Sequence, residues 1–249
     1  MSGISILMYH RIGRFGTVPN HRALFCDHRR FAAQMAYLKH MRYQVLSMDE
    51  VLNKLRGTEP LPRRAVALTF DDAYQDFLDY ALPVLDRYGF PATVYAIADD
   101  IGKRAYWLAA DRMEAAPLMD TSELRQIQAA GITVGSHSRA HRRLVELAPA
   151  EQTAQARDSR SRLEDILGTP VLHFCYPYGS HDAASLVAVE QAGYRTAVTC
   201  LRATATASFD PLALPRKAIS YGDNLLGYFW KLQMKHRPKS EPLRRVSGA

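Results

Sequence analysis

Residues 65–73 read AVALTFDDA, an apolar run that ends in two carboxylates. The first six residues of this stretch are apolar at nearly every position, so they have no polar face to turn toward water. A strand that is apolar on both faces is typical of a parallel sheet or of a barrel interior. The stretch therefore predicts an α/β fold in which Asp71 and Asp72 follow directly after a central strand.

Short apolar runs alternate with helical patterns on both sides of this strand. The runs predict strands over 4–9, 92–97, 132–136, 171–176 and 196–200, and the patterns predict helices over 28–41, 48–56, 75–88, 121–130, 150–167 and 182–192. Asp27 and Ser47 stand where N-caps of the first two helices are expected. About seven strand–helix units in one domain favour a barrel over an open sheet.

The net charge of +7 is concentrated at the C-terminal end of the chain. Residues 231–249 hold six Lys and Arg against Glu241, a net +5, so the rest of the chain is only about +2. A charge confined in this way argues against a general nucleic-acid surface. We expect no nucleic-acid partner.

The three cysteines and the N-terminal sequence bear on the compartment. Cys26, Cys175 and Cys200 are scattered and form no CxxC pair, which favours a reducing compartment or a protein indifferent to redox conditions. No run reaches the roughly 20 apolar residues that span a bilayer, and the N-terminal run has no basic leader. We expect a cytoplasmic protein, with a membrane-associated one as an alternative, and a periplasmic one if a leader has been removed.

Polar residues follow three of the predicted strands. Asp71 and Asp72 follow 65–70, the segment HSRAH (137–141) follows 132–136, and YPYG (176–179) closes 171–176. Active sites of parallel α/β barrels lie at the carboxyl ends of the strands. We therefore expect these segments to meet, although the two carboxylates could instead be N-caps of the helix near residue 75 and YPYG a plain turn.

The residue types in these segments suit one metal ion. If 137–141 turns helically, His137 and His141 share a face, and Asp72 adds a carboxylate. Two imidazoles and one carboxylate suit zinc, cobalt, nickel or iron and leave positions open for water and substrate. Water beside such a metal reaches a pKa near ~7, Asp71 would accept its proton, and the Tyr178 backbone N–H would stabilise an oxyanion.

With these segments in register, the chain resembles the polysaccharide deacetylases of carbohydrate esterase family four, the nodulation-type deacetylase homology domain. TFDDA (69–73) is similar to that family's TFDDG motif, HSRAH matches its H-[ST]-x-x-H motif, and YPYG is similar to its proline–aromatic–glycine motif. The resemblance implies a distorted (β/α)7 barrel, Asp71 as base, and Asp72, His137 and His141 as ligands of a divalent metal, with Zn²⁺ favoured over Co²⁺ and Ni²⁺. It also implies substrate contacts for Tyr176 and Pro177.

The chain departs from the family pattern in three places. Ala73 replaces the usual Gly, Cys175 stands where many members have Arg, and no Leu-x-His lies near the C-terminus. The poly-N-acetylglucosamine deacetylases, whose pattern is closest, resemble circular permutants that open with a segment such as LMYH (7–10). By that resemblance His10 protonates the leaving amine and Arg216 orients Asp71 in place of the missing Arg.

Two further segments have open interpretations. Trp107, beside Tyr106, is expected either to stack on a sugar ring or to be buried in the ordinary way. We divide the chain into a deacetylase domain (1–223) and a C-terminal amphipathic helix with a basic tail (224–249). That helix either lies on anionic lipid or packs across the barrel bottom.

The sequence thus predicts a metal-dependent hydrolase that removes N-acetyl groups from N-acetylhexosamine residues of a poly- or oligosaccharide. A lipid-linked glycan becomes a natural substrate if the helix binds membrane. The alternatives are a metal amidohydrolase of a non-carbohydrate amide and a glycan-binding module without catalysis. The metal site alone does not discriminate the first two, because the first chemical step is the same.

Overall fold

The structure, a computed structural model, describes residues 3–18, 20–107, 115–234, 236–238, 242–243 and 245. Its centre is a sheet of parallel strands in the spatial order β10-β1-β5-β6-β7-β8-β9. The strands are β1 (Ile4–Tyr9), β2 (Arg11–Gly13), β3 (Phe25–Asp27), β4 (Gln44–Leu46), β5 (Ala65–Phe70), β6 (Thr93–Ala96), β7 (Thr133–Ser136), β8 (His173–Cys175), β9 (Thr196–Val198) and β10 (Lys217–Ala218). Strand β4 pairs with β5, and β2 pairs with β3 in a separate sheet.

The segment 214–218 connects the two ends of this sheet. Leu214 pairs in parallel with Val198 of β9, and three residues later Lys217 pairs with Leu7 of β1. The strands therefore curl around a common axis. This confirms the predicted distorted (β/α)7 barrel, with the carboxyl ends of the strands gathered at one mouth.

Helices surround the strands. They are α1 (His28–His40), α2 (Met48–Leu55), α3 (Leu82–Tyr88), α4 (Thr121–Ala129), α5 (Pro149–Leu167), α6 (Ala183–Gln191) and α7 (Leu225–Met234). Asp27 accepts hydrogen bonds from two amides of the first turn of α1, and Ser47 forms a capping box with Glu50, as the sequence predicts. None of the helices in the described part of the chain is long and apolar enough to cross a membrane.

The predicted helix over 75–88 begins differently from expectation. A π-helical turn over Phe77–Ala81 precedes α3, and Asp76 occupies the N-cap position of that turn. Asp71 and Asp72 lie further upstream, and their carboxylates contact other residues. The alternative interpretation of these two residues as helix caps is therefore wrong.

Aromatic packing fixes the ends of the two central strands. Tyr9 at the end of β1 stacks on Phe70 at the end of β5, with ring centroids 5.2 Å apart, and Phe31 of α1 packs edge-on against both rings. All three side chains are buried, and each fully buried aromatic ring contributes on the order of 2 kcal/mol. His10 and Asp71, the next residues after Tyr9 and Phe70, therefore lie side by side at the barrel mouth.

Helix α7 packs on α1 through one face. Tyr228 and Leu232 are buried, and the Tyr228 ring lies edge-on to Tyr37 at 6.1 Å. Of the predicted basic tail, Lys235, Lys239 and Arg244 lie outside the described residues. The proposed division between 1–223 and 224–249 stays a prediction.

Candidate active site

The barrel mouth brings together the residues that the sequence singled out. Asp71 and Asp72 follow β5, His137 follows β7, His10 follows β1, and Arg216 directly precedes β10. His141 reaches the same place from the turn after His137. Trp107 and Tyr178 lie at the edge of this cluster, where their rings contact His141.

Asp72, His137 and His141 form a compact group of possible metal ligands. Asp72 Oδ1 lies 3.4 Å from Nε2 of His137 and 3.4 Å from Nε2 of His141. All three side chains are buried, and Asp72 Oδ1 is a buried oxygen without a hydrogen-bond donor. A buried carboxylate oxygen without a donor, facing two imidazole nitrogens, fits a divalent cation.

Outer contacts orient both imidazoles. His137 Nδ1–H donates to the Cys175 carbonyl at 2.8 Å, which turns Nε2 toward Asp72. His141 Nδ1 lies 3.3 Å from the Tyr178 hydroxyl. Burial lowers the pKa of His141 to about 4, so its ring is neutral at pH 7 and keeps a lone pair for a metal.

The turn that carries the two histidines is not helical. Ser138 and His141 have left-handed φ values of 63° and 51°, and the His141 amide donates to the Ser138 hydroxyl at 3.2 Å. The conditional expectation of a helical turn over 137–141 is therefore wrong. The imidazoles meet because His137 ends a strand and the following turn folds His141 back toward it.

Left-handed backbone is concentrated at this site. Among the described residues, five of the seven non-glycine positions with positive φ are Asp72, Ala73, Ser138, His141 and Tyr178. Such conformations cost on the order of 1 kcal/mol or more each and persist where the surroundings enforce them. The φ of 55° at Ala73 also explains why the similar motif of the family has Gly at this position.

Arg216 holds Asp71 through a bidentate contact. Its Nη1 donates to Oδ1 at 2.6 Å and its Nη2 donates to Oδ2 at 2.7 Å, and both side chains are buried. Burial by itself would raise the pKa of Asp71, but the charge and hydrogen bonds of Arg216 hold that pKa well below its usual range. Asp71 is therefore ionised at any physiological pH.

A second group, Asp71, His137 and Cys175, also brings three possible ligand atoms together. Arg216 Nη2 lies 3.1 Å from Cys175 Sγ, so a cation occupies this side of the site already. Burial raises the pKa of the Cys175 thiol to about 11, which keeps it neutral and a poor metal ligand. The Asp72 group is the better metal site on both grounds.

His10 lies beside Asp71 at the barrel mouth. Its Nε2 is 3.8 Å from Asp71 Oδ2, and its Nδ1 is buried without a hydrogen-bond partner. Burial lowers the pKa of His10 despite the nearby carboxylates. The ring retains 12% exposure, so a substrate in the mouth can reach it.

The aromatic residues near the site differ from one another in exposure. Tyr176 is fully buried and donates its hydroxyl to the Leu212 carbonyl at 3.0 Å, and its contact with substrate stays a prediction. Pro177 is also buried, and its contact with substrate stays a prediction. Tyr178 is 45% exposed, and Trp107 is partly buried with its ring 4.4 Å from that of His141.

The sequence did not indicate two of the contacts that shape the site. The Cys175 carbonyl orients His137, and the Thr69 hydroxyl accepts a hydrogen bond from Arg216 Nη1 at 3.1 Å. Thr69 is the single polar residue of the strand AVALTF, and that position inside an apolar run was the available signal. The contact of the Cys175 carbonyl cannot be predicted from the sequence, since a residue of any type at position 175 has a backbone carbonyl.

The chain is similar in sequence to known deacetylases over most of its length. The family described as polysaccharide deacetylase matches residues 58–197. The chain is 28% identical over 219 residues to YxkH of Bacillus subtilis (strain 168), covering 88% of this chain and 72% of that protein. It is 22% identical over 234 residues to the poly-β-1,6-N-acetyl-D-glucosamine N-deacetylase of Staphylococcus aureus (strain MRSA252), covering 86% and 78%.

A solved structure agrees with the sequence matches. The Streptococcus pyogenes deacetylase PplD, solved in complex with acetate, superposes with a TM-score of 0.79 at 28% identity, covering 93% of this chain and 98% of that one. The matched family spans all three motifs, from TFDDA to YPYG. The predicted family and the prediction of a deacetylase hydrolase are thus confirmed, and the chain belongs to the polysaccharide deacetylase family.

Proposed function

We propose that this protein is a metal-dependent deacetylase that removes acetyl groups from the nitrogen of N-acetylhexosamine residues in a glycan. The observation that carries the proposal is the side-by-side arrangement of a buried Asp72–His137–His141 group and an Asp71 carboxylate held by Arg216. The Staphylococcus aureus relative, named for its action on poly-β-1,6-N-acetyl-D-glucosamine, supports an N-acetylated sugar as the substrate.

Asp72, His137 and His141 would hold the metal. Zn²⁺ is the proposed ion because two imidazoles and one carboxylate are among its preferred ligands, and Co²⁺ and Ni²⁺ accept the same set. When bound, such a cation supplies Lewis acidity that makes water a nucleophile near neutral pH and polarises the acyl carbonyl. The Cys175 carbonyl and the Tyr178 hydroxyl would keep the two imidazoles in the required orientation.

Asp71 would accept the proton of the attacking water. Arg216 fixes the plane of the carboxylate, so that Oδ2 faces His10 while the group remains ionised. A base fixed in this way has the geometry for proton transfer before the substrate arrives. Arg216 is therefore a positioning residue in this scheme.

His10 would give the leaving amine its proton. Its Nε2 is 3.8 Å from Asp71 Oδ2, close enough for the proton taken from water to reach the imidazole after a small movement. The proton then passes to the nitrogen as the carbon–nitrogen bond breaks, which leaves acetate and a free amine. Without that proton the amine is a poor leaving group.

The turn at residues 176–179 would stabilise the negative charge on the acyl oxygen. Its two closing hydrogen bonds are donated by the amides of Gly179 and Ser180, which leaves the Tyr178 amide for an oxyanion. Trp107, and the exposed ring of Tyr106 next to it, would form the wall against which a sugar face packs.

The substrate class can be tested by comparing three acetylated compounds at equal concentration. Acetate release is measured with an N-acetylglucosamine pentamer, an O-acetylated xylo-oligosaccharide and a simple N-acetyl amino acid. We expect turnover of the pentamer at least ~100-fold faster than of the amino acid. The reverse preference would favour the non-carbohydrate amidohydrolase, and binding of the pentamer without any acetate release would favour the silent glycan-binding module.

A further inference from the structure

Helix α7 has one face in the core and one face in water, and both faces are apolar. Tyr228 and Leu232 are buried against the barrel. The opposite side exposes five large apolar residues, namely Leu225 (45%), Leu226 (78%), Phe229 (44%), Trp230 (53%) and Met234 (58%). These are half of the ten large hydrophobic residues that are exposed in the described part of the chain. Such a concentration on one helix marks an interaction surface rather than ordinary surface scatter.

Arginines lie on both sides of this exposed face. A groove on one side is lined by Arg29 and Arg30 of α1 together with Leu225 and Leu226. A cleft on the other side adjoins Phe229 and is lined by three further arginines and a histidine, Arg42, Arg63, Arg64 and His236.

The arginine side chains around the helix are not paired with acidic side chains, although the Asp27 carboxylate caps α1 beside Arg29 and Arg30. Helices α1 and α7 contain no Asp or Glu, and the nearby Asp223 is largely buried and paired with Lys231. Within the described residues, none of the five flanking arginines is in an ion pair. Arg30 and Arg64 instead donate to backbone carbonyls, which carry no net charge.

We propose that the exposed face of α7 docks on an anionic lipid bilayer. Leucine and aromatic side chains on one helix face partition into the boundary between headgroups and acyl chains, and flanking arginines attract anionic headgroups. Trp230 and Phe229 are the residue types that favour this boundary. A nucleic acid or an acidic protein would use the arginines but would leave the apolar face in water.

The helix lies lengthwise along the barrel wall. Its first residue follows the turn at 220–223, just after β10 and Arg216 at the mouth. Beyond its last residue, His236 pairs with Thr204 next to the start of β1, at the opposite end of the barrel. A bilayer on this face would therefore run alongside the barrel mouth and leave it open. The docking does not depend on the proposed catalytic chemistry.

Trp230 itself can report the docking. The chain has two tryptophans, so Trp107→Phe leaves Trp230 as the sole fluorophore. Vesicles of phosphatidylcholine, with or without one quarter phosphatidylglycerol, are added to this protein, and a parallel set carries bromine on the acyl chains. We expect binding at least ~tenfold tighter to the anionic vesicles and quenching of Trp230 by bromine. Binding to the anionic vesicles without quenching of Trp230 would contradict insertion of α7 into the bilayer. The arginines would then contact only the charged headgroups.

Two pairs of variants separate the apolar and the charged contributions in a vesicle sedimentation assay. Leu226→Gln with Trp230→Gln should weaken binding at least ~tenfold, and Arg29→Gln with Arg30→Gln should weaken it roughly fivefold for each residue. Matched controls are Val187→Gln and the pair Arg56→Gln with Arg87→Gln, which are exposed elsewhere and should bind as the unaltered protein. Equal loss in the controls, or no loss in either test pair, would overturn the proposal. Because sedimentation needs no turnover, failure here is distinct from failure of the deacetylase assay.

Discussion

Arg216 donates one hydrogen bond to each carboxylate oxygen of Asp71, at 2.6 and 2.7 Å, across 145 positions of sequence. Both residues are buried, and the guanidinium also contacts Thr69 and Cys175. A planar, bidentate pair of this kind fixes the carboxylate in one orientation. Asp71 therefore presents the same oxygen to His10 in every molecule.

Replacement of Arg216 by Lys should lower kcat about 100-fold while KM changes little. A lysine keeps the charge but has no planar fork, so Asp71 can rotate away from its working orientation. Steady-state kinetics with the N-acetylglucosamine pentamer check this. Metal content, measured on the same samples, should stay at the level of the unaltered protein. A large rise in KM with kcat unchanged would contradict a positioning role.

The position of Cys175 allows a stricter test of the same idea. Many members of the family that this chain resembles have Arg there, and the Cys175 sulfur already lies 3.1 Å from the guanidinium. Arg216→Cys should be nearly inactive. Adding Cys175→Arg should raise kcat at least ~tenfold above that of Arg216→Cys. A double variant as inactive as Arg216→Cys would show that the guanidinium must come from residue 216.

Replacement of His141 by Ala should remove the metal. Loss of one of three protein ligands is expected to weaken metal affinity ~100-fold or more, since changes in outer contacts alone cost 10- to 100-fold. Elemental analysis after dialysis against a weak chelator measures this, with His40→Ala as the matched control because His40 is exposed at the end of α1. Full metal content in His141→Ala would exclude the proposed ligand set.

Replacement of His10 by Ala should affect amides and activated esters differently. An amine must be protonated to leave, whereas 4-nitrophenolate leaves unaided, so loss of a general acid matters only for the amide. We expect kcat to fall about 100- to 1,000-fold for the N-acetylglucosamine pentamer and less than ~fivefold for 4-nitrophenyl acetate. Equal losses on both substrates would mean that His10 has a structural role.

Lys217 should make folding stability depend on pH above about 8. It is fully buried, donates to the Ser5 hydroxyl at 3.0 Å, and burial lowers its pKa from 10.5 to about 8. The unfolded chain then binds more protons between pH 8 and 10.5, so stability rises with pH across that window, by about 3 kcal/mol at most. Urea unfolding at pH 7.5 and 10 should show this gain relative to Lys217→Met, whereas parallel pH profiles of the two proteins would refute it.

The sequence predicted the strand ends because each is an apolar run followed at once by polar residues. Asp71 and Asp72 follow β5 and His137 follows β7, two parallel strands that flank β6, so barrel geometry alone brings them to one mouth. The proximity of Arg216 and Asp71 came from the family resemblance, and its bidentate form is visible only in the structure. Their roles in catalysis stay predictions until the variants are measured.

The sequence did not predict features that backbone conformation and packing decide, rather than residue type. His137 and His141 stand at helical spacing, but left-handed φ values at Ser138 and His141 produce a turn with the same outcome. Tyr176 and Tyr178 are two residues apart in one motif, but Tyr176 is buried and Tyr178 is 45% exposed. No pattern of residue types encodes that difference.

In the proposed function, a bound metal and Asp71 act together to release acetate from an N-acetylated sugar chain. The most direct measurement is acetate release from the N-acetylglucosamine pentamer by metal-stripped protein, by protein with Zn²⁺ restored, and by Zn²⁺-loaded Asp71→Asn. We predict release only from the restored protein, with Asp71→Asn binding one equivalent of metal yet at least ~1,000-fold slower. Full activity in the stripped protein, or in Asp71→Asn, would contradict the proposed function.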